Sequence, residues 1–203
     1  RALAGVAEKK PVIAVMGGIA ASAGYMIAMP AHRVLAQEST LTGSIGVMLE
    51  TGEMSALLAR LGVTTEAITS GPVKDQPNMT RPLTPMGREA LQGLVNDMFD
   101  QFVTMVAKGR RMDPTRVRLL ADGRAFTGRQ ALNLGLVDAI GDERDARAWL
   151  STEKGIDRSL PLRELGSASL AGRTIGAALG DIVETIWKVV VSQSVKLDGG
   201  MAI

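Results

Sequence analysis

Apolar positions along the chain alternate between short continuous runs and longer stretches at helical spacing. Residues 1–9 pattern as a short amphipathic helix, and the run VIAVM at 12–16 predicts a buried strand. Gly17 and Gly18 break that run, and the small-residue segment after them predicts a helix to about Met29, closed by Pro30. Residues 33–36 predict a short strand, and 41–47 contain TGSIG, a loop with two glycines flanking Ser44. A helix over 53–61 ended by Gly62 and an alternating strand over 63–69 follow, then a loop rich in Gly and Pro from 70 to 84. Thr84-Pro85 pairs a cap with a proline at the first helical position and starts a helix running to about Arg111. Leu91, Leu94, Val95, Met98, Phe102, Met105 and Val106 share one face of it, which predicts core packing or a subunit seam.

Asp113-Pro114 repeats the helix-start signal, 124–126 reads as a brief strand, and Thr127 caps a helix ended by Gly135. Residues 136–140 predict a strand and 142–150 a helix with acidic residues in its first turn. Strands alternating with helices at this spacing indicate an α/β domain over 1–150 with a largely parallel sheet. From Gly155 the composition shifts, and the apolar stretch 182–195 reads as a helix docked on the body or on another subunit. Residues 151–203 are therefore expected to form a C-terminal extension.

Composition narrows the function. The 203 residues suffice for one domain with a sizeable core, and 46% hydrophobic with 22% charged content is that of a globular protein. A net charge of +2, no basic block and 3% aromatics argue against nucleic acid as a partner. The absence of cysteine excludes disulfides and thiol nucleophiles, and the single His32 excludes a histidine metal cluster. No phosphate-binding glycine loop occurs, so neither a metal nor a cofactor is implied. Residues 11–31 carry no charge and match a membrane span in length, but three glycines, two prolines and a serine argue against one. The chain opens on RALAGVAEKK, which reads as the end of a helix and suggests a piece of a longer protein.

Ser22 stands where the first strand gives way to a helix. There its hydroxyl would be fixed on a rigid scaffold, with free helix N–H groups beside it. The plainer reading is a helix cap. A serine nucleophile needs a base. His32 lies ten residues on, beyond the end of the same helix, a spacing that does not return the imidazole to the hydroxyl. The alternative is Lys74, which follows a strand behind Gly71 and Pro72. A free lysine amine, with a reference pKa of about 10.4, is a cation and no base until apolar surroundings lower that value. A second hydroxyl would orient the neutral amine, and Ser44 is the one available; the plainer reading of Lys74 is a solvated loop lysine. Ser151 to Lys154 matches an S-x-x-K pattern without its companion motifs, and AASAG is not a G-x-S-x-G elbow.

The segments MGGIAASAGYMIA, LTGSIGV, ITSGPVKD and ADGRAFTGRQALNLGLVD, in this order, resemble the signal peptide peptidase A family. These are bacterial membrane-anchored serine proteases of the S49 type with a ClpP/crotonase-like fold of stacked βαβ units. The likeness covers residues 10–150, with 52 residues from Ser22 to Lys74 (74 − 22). It implies Ser22 as nucleophile, Lys74 as general base, Ser44 as the lysine-orienting hydroxyl and the Ala23 N–H as an oxyanion donor. The family usually has glycine at that last position, and alanine keeps the N–H. A second oxyanion donor, the first strands of the fold and a membrane anchor would lie upstream of residue 1. The resemblance further implies an endopeptidase acting on apolar peptides such as released signal peptides, homo-oligomers, and a place at the bacterial inner membrane with the catalytic domain on the periplasmic or extracytoplasmic side. Three other readings stand beside it: a phage-type or other S49-like processing protease, a crotonase-type acyl-CoA enzyme, and a catalytically inactive oligomeric scaffold. The crotonase type would need a nucleotide site and an acidic catalytic residue, and the sequence offers neither.

Overall fold

The computed structural model describes residues 2–163. Its elements run α1 (Ala2–Ala7), β1 (Ile13–Met16), β2 (Ile19–Ala21), α2 (Ala23–Ala28), β3 (Arg33–Ala36), β4 (Leu41–Gly43), α3 (Ser55–Arg60), α4 (Pro85–Arg110), α5 (Pro114–Leu120), β5 (Ala125–Thr127), α6 (Gly128–Leu134), β6 (Ala139–Ile140) and α7 (Glu143–Lys154). Arg1–Arg158 form one compact unit. The apolar stretch at 182–195 lies outside the described residues.

Two small sheets are built from alternate strands. β1, β3 and β6 are all parallel, with Ile13 opposite Arg33 and Leu35 opposite Ala139. β2 and β4 are parallel, Ala21 facing Gly43, and β5 joins β4 antiparallel with Thr42 opposite Phe126. The architecture is thus the expected α/β one with largely parallel pairing. Val34, Leu35 and Ala36 of β3 are buried, as a central strand between two partners requires. Tyr25 and Met29 from the α2 region, Phe102, Val103 and Val106 of α4, and Leu136 and Val137 complete the core.

The caps fall where side-chain chemistry puts them. Thr84 accepts from the Gly87 N–H, Asp113 from Thr115, and Thr127 and Asp142 each form a capping box. Three expectations need correction. The helix after Gly18 does not start at once: Ile19–Ala21 is strand, because its backbone finds the edge of β4, and the helix begins at Ala23. Residues 63–69 alternate but form no strand. Val63 and Ile68 are exposed, the latter 96%, and alternation without a sheet to pair with does not hold a strand. The expected strand 136–140 shrinks to Ala139–Ile140, since Leu136 and Val137 are buried in the turn after the left-handed Gly135. The apolar stripe of α4 divides: Phe102 and Val106 are core, whereas Leu94 and Met98 are more than half exposed. Among the described residues no helix is long and apolar enough to cross a membrane.

One polar cluster joins the layers. Arg110, at the end of α4, donates to both Asp138 oxygens at 2.6 and 3.0 Å and to the Gly135 carbonyl at 2.9 Å. Asp138 also accepts the Val34 N–H at 2.7 Å and returns its own N–H to the Val34 carbonyl at 2.8 Å. Tyr25 Oη donates to the Leu136 carbonyl at 2.7 Å. Burial, which outweighs the opposing pull of Arg110, pushes the Tyr25 hydroxyl well above the ordinary tyrosine range, so it remains a donor. For Asp138 burial alone would raise the carboxyl, but the hydrogen bonds from Arg110 and Val34 outweigh it and hold it below the usual range.

Two stability predictions follow from these contacts. Asp138→Asn is expected to cost about 1.5–3 kcal/mol at neutral pH, the range for hydrogen bonds to charged groups. Because the folded carboxyl is depressed, its contribution is present above the unfolded value of about 3.9 and is lost as pH falls through the folded one. Denaturant melts of parent and variant should therefore converge in acid, and a gap that stays constant would contradict the assignment. Gly128→Ala places a Cβ 2.0 Å from the Gln37 carbonyl oxygen, whereas Gly5→Ala meets nothing within 4 Å. The first should lower stability by about 1–3 kcal/mol, and the second should leave it level or raise it in the same melts.

Candidate active site

Ser22 sits where β2 runs into α2. Its N–H donates to the Gly43 carbonyl at 2.8 Å, carrying the β2–β4 ladder one residue past the strand, and its carbonyl accepts the Met26 N–H at 3.0 Å, opening the helix. Meeting both demands puts Ser22 at φ 52, ψ −115, a region that a residue with a side chain adopts only under constraint. Its side chain makes no capping bond, unlike Thr84, Asp113, Thr127 and Asp142 at their own helices. Ser22 thus occupies the N-cap position of α2, but its hydroxyl makes no bond to the helix it precedes. Ala23 supplies the first N–H of α2, a position with no carbonyl one turn back inside the helix.

The ladder beneath is fixed by buried threonines. Thr42 Oγ1 donates to the Ala20 carbonyl at 2.9 Å, and Thr40 Oγ1 donates to the Gly17 carbonyl at 2.6 Å while accepting the Gln37 N–H. At the end of β4 the chain turns left-handed twice, at Gly43 with φ 72 and at Ser44 with φ 49. The first must be glycine, because a Cβ there would lie 2.7 Å from the Phe126 ring. Ser44 is then held by the opposite strand: its N–H donates to the Arg124 carbonyl at 3.0 Å and its Oγ to the Gly123 carbonyl at 3.2 Å.

Ser22 and Ser44 line the same cavity, of about 620 Å³, together with Gly46, Val47, Met48, Phe99 and residues 121–123. Asp122 is its acidic member. The Arg124 side chain, with the Arg124 N–H, holds the Asp122 carboxyl below the usual carboxylate range. Lys74 is not brought to this wall. It lies exposed on the loop between α3 and α4, in a turn where its N–H donates to the Gly71 carbonyl at 3.2 Å. That loop is tied by Arg81 to Asp75 and by Gln76 to the Thr84 N–H. His32 lines a different cavity with Met29 and Arg110, where its Nδ1 accepts the Val12 N–H at 3.1 Å. Among the described residues no three His, Asp or Glu side chains converge as a metal site requires.

The sequence reading missed Phe99 and residues 121–123. Asp122 and Gly123 belong to the ADGR segment, which the resemblance includes without giving it a role. Its signal was the Asp-Gly pair before a strand, a turn that presents backbone to whatever packs above it.

Comparison with known proteins matches the family model described as peptidase family S49 over residues 4–157. A protein of Synechocystis sp. that carries a protease name is 46% identical over 152 residues, spanning 75% of this chain and 55% of that one. Protease 4 of Salmonella typhi is 38% identical over 142 residues, 70% of this chain and 23% of that one. A solved structure of a membrane-bound stomatin-specific protease aligns with a TM-score of 0.42 and 17% identity, covering 78% of this chain and 64% of that one. The chain thus spans little more than half of the one relative and under a quarter of the other, but the family match runs from α1 through α7 and takes in the whole serine-lined cavity. By that match the chain belongs to peptidase family S49.

Proposed function

We propose that the chain is the catalytic domain of a serine endopeptidase that works through a Ser22/Lys74 pair and cleaves apolar peptides, released signal peptides among them. One observation carries the reading. Ser22 is held in a strained turn with its hydroxyl free of the helix cap, in one cavity with a second left-handed serine. Strain at a position that a cap could have relaxed points to a use for the hydroxyl. Family membership supports the same chemistry.

In this reading the neutral Lys74 amine takes the Ser22 proton as Oγ attacks a peptide carbonyl, and the Ala23 N–H holds the developing oxyanion. The amine then passes the proton to the leaving nitrogen. Water, deprotonated by the same amine, releases the acyl group and restores Ser22. Ser44 orients the amine. Because Lys74 stands on an exposed loop, the reading includes closure of residues 70–82 over the cavity, with bound peptide as the closing surface. Val47, Met48 and Phe99 give the cavity apolar walls, which suits apolar side chains. The same reading assigns the domain to the periplasmic side of the bacterial inner membrane, working as a homo-oligomer.

The test is hydrolysis of a fluorogenic apolar peptide by the full-length protein. Ser22→Ala and Lys74→Ala should each lower kcat by about 1000-fold or more, while His32→Ala should stay within about 2-fold. Activity that survives Ser22→Ala overturns the assignment. A parent silent on varied peptides and on denatured protein replaces it with the inactive scaffold.

A further inference from the structure

The hydroxyl of Ser44 has one proton, and its destination is fixed. Ser44 Oγ lies 3.2 Å from the Gly123 carbonyl oxygen, and a carbonyl can only accept. With its proton committed there, the Ser44 oxygen can meet any further partner only as an acceptor. Gly123 is itself held in place. Its N–H donates to the Ile45 carbonyl at 3.1 Å, and its φ is 89. A Cβ on Gly46 would lie 3.2 Å from the Gly123 Cα, so the two backbones are in close contact. The residue before it closes the turn: Asp122 Oδ1 accepts the Arg124 N–H at 3.1 Å, and Oδ2 accepts Arg124 Nε at 2.6 Å. The Arg124 carbonyl in turn takes the Ser44 N–H.

We infer that the Asp122–Arg124 turn is a positioning element for the reaction: Asp122 sets the turn, the turn aims the Gly123 carbonyl, and that carbonyl makes Ser44 an acceptor for the base. The inference rests on the reading of Ser22 and Lys74 as nucleophile and base, and deepens it. A neutral lysine amine has two N–H donors and one lone pair. Ser44 takes one N–H, which turns the lone pair toward Ser22. Were the Ser44 proton free, it would donate to that lone pair and quench the base. Asp122 thus acts at second hand, although it lines the same cavity as both serines.

Direct action by the carboxylate predicts different behaviour, because asparagine keeps the oxygen that closes the turn and loses the charge. The charged groups on this wall are Asp122 and its partner Arg124; nearby, Arg118 lies over the Phe99 ring and pairs with Asp100.

The experiment uses the full-length protein, the fluorogenic apolar peptide and four variants. Asp122→Ala should lower kcat about 10- to 100-fold with KM within about 2-fold. Asp122→Asn should restore kcat to within about 3-fold of the parent. In a Ser44→Ala background Asp122→Ala should change kcat by less than about 2-fold, since a residue acting through another adds nothing once that other is gone. Thermal melts alongside show that the variants are folded. Asp122→Asn as slow as Asp122→Ala, penalties that multiply in the double variant, or Asp122→Ala equal to the parent would each overturn the inference alone. A parent without Ser22-dependent hydrolysis overturns the underlying reading and the inference together.

Discussion

The pairing of Arg110 with Asp138 is the constraint from which most of the arrangement follows. The Arg110 side chain is 7% exposed, and its guanidinium closes on the carboxylate with two hydrogen bonds, the planar geometry that lysine cannot reproduce. A charge buried this far is tolerable only with its partner in place. The pair therefore fixes where α4 ends, where the chain after α6 re-enters the sheet, and where β3 runs, since Val34 exchanges hydrogen bonds with Asp138 on both its N–H and its carbonyl. Tyr25 then ties α2 to the same turn through Leu136. A helix that begins at the site and a helix that crosses the core are located by one carboxylate.

What that framework holds is a region of backbone no isolated peptide would choose. Ser22 and Ser44 each carry a side chain at positive φ, and such residues cost of order 1–3 kcal/mol. The Ser22 hydroxyl makes no cap bond that would relax it, and the Ser44 hydroxyl fixes the strained turn in place. Ser22 is locked between a ladder bond to Gly43 and a helix bond to Met26, and Ser44 between Arg124 and Gly123. Glycine and alanine around them let the backbones approach, most visibly where the Phe126 ring occupies the space a side chain at 43 would take. The small residues are thus the condition for two serines to be strained in the same place.

Much of this was legible in the sequence where one local rule decides. Thr84-Pro85, Asp113-Pro114, Thr127 and Gly135 mark helix ends by chemistry that acts within a few residues, and the structure keeps each. Ser22 could be singled out as the one hydroxyl in the small-residue segment after Gly18, and Ser44 by the two glycines that flank it in TGSIG. What escaped were features set at long range. Ile19–Ala21 is strand only because β4 lies beside it, and 63–69 is not strand because nothing does. Asp122 and Gly123 reach the cavity through pairing with residues nearly eighty positions away, which no spacing rule reveals.

The division of α4 has a consequence for how the molecule breathes. Its first turn is pinned by the Thr84 cap, with Gly87 buried against Gln76, and its last turns are buried around Phe102, Val106 and Ala107. Between them Leu94 and Met98 face outward. Helices ordinarily open from their ends, where backbone groups lack partners. Here the central turns lack the apolar packing that holds residues 102–107, so amide hydrogen exchange along α4 is expected to be slowest toward residue 107. The helix is a span fixed at two abutments, and its least packed stretch is the one that leads to Phe99 and the cavity wall.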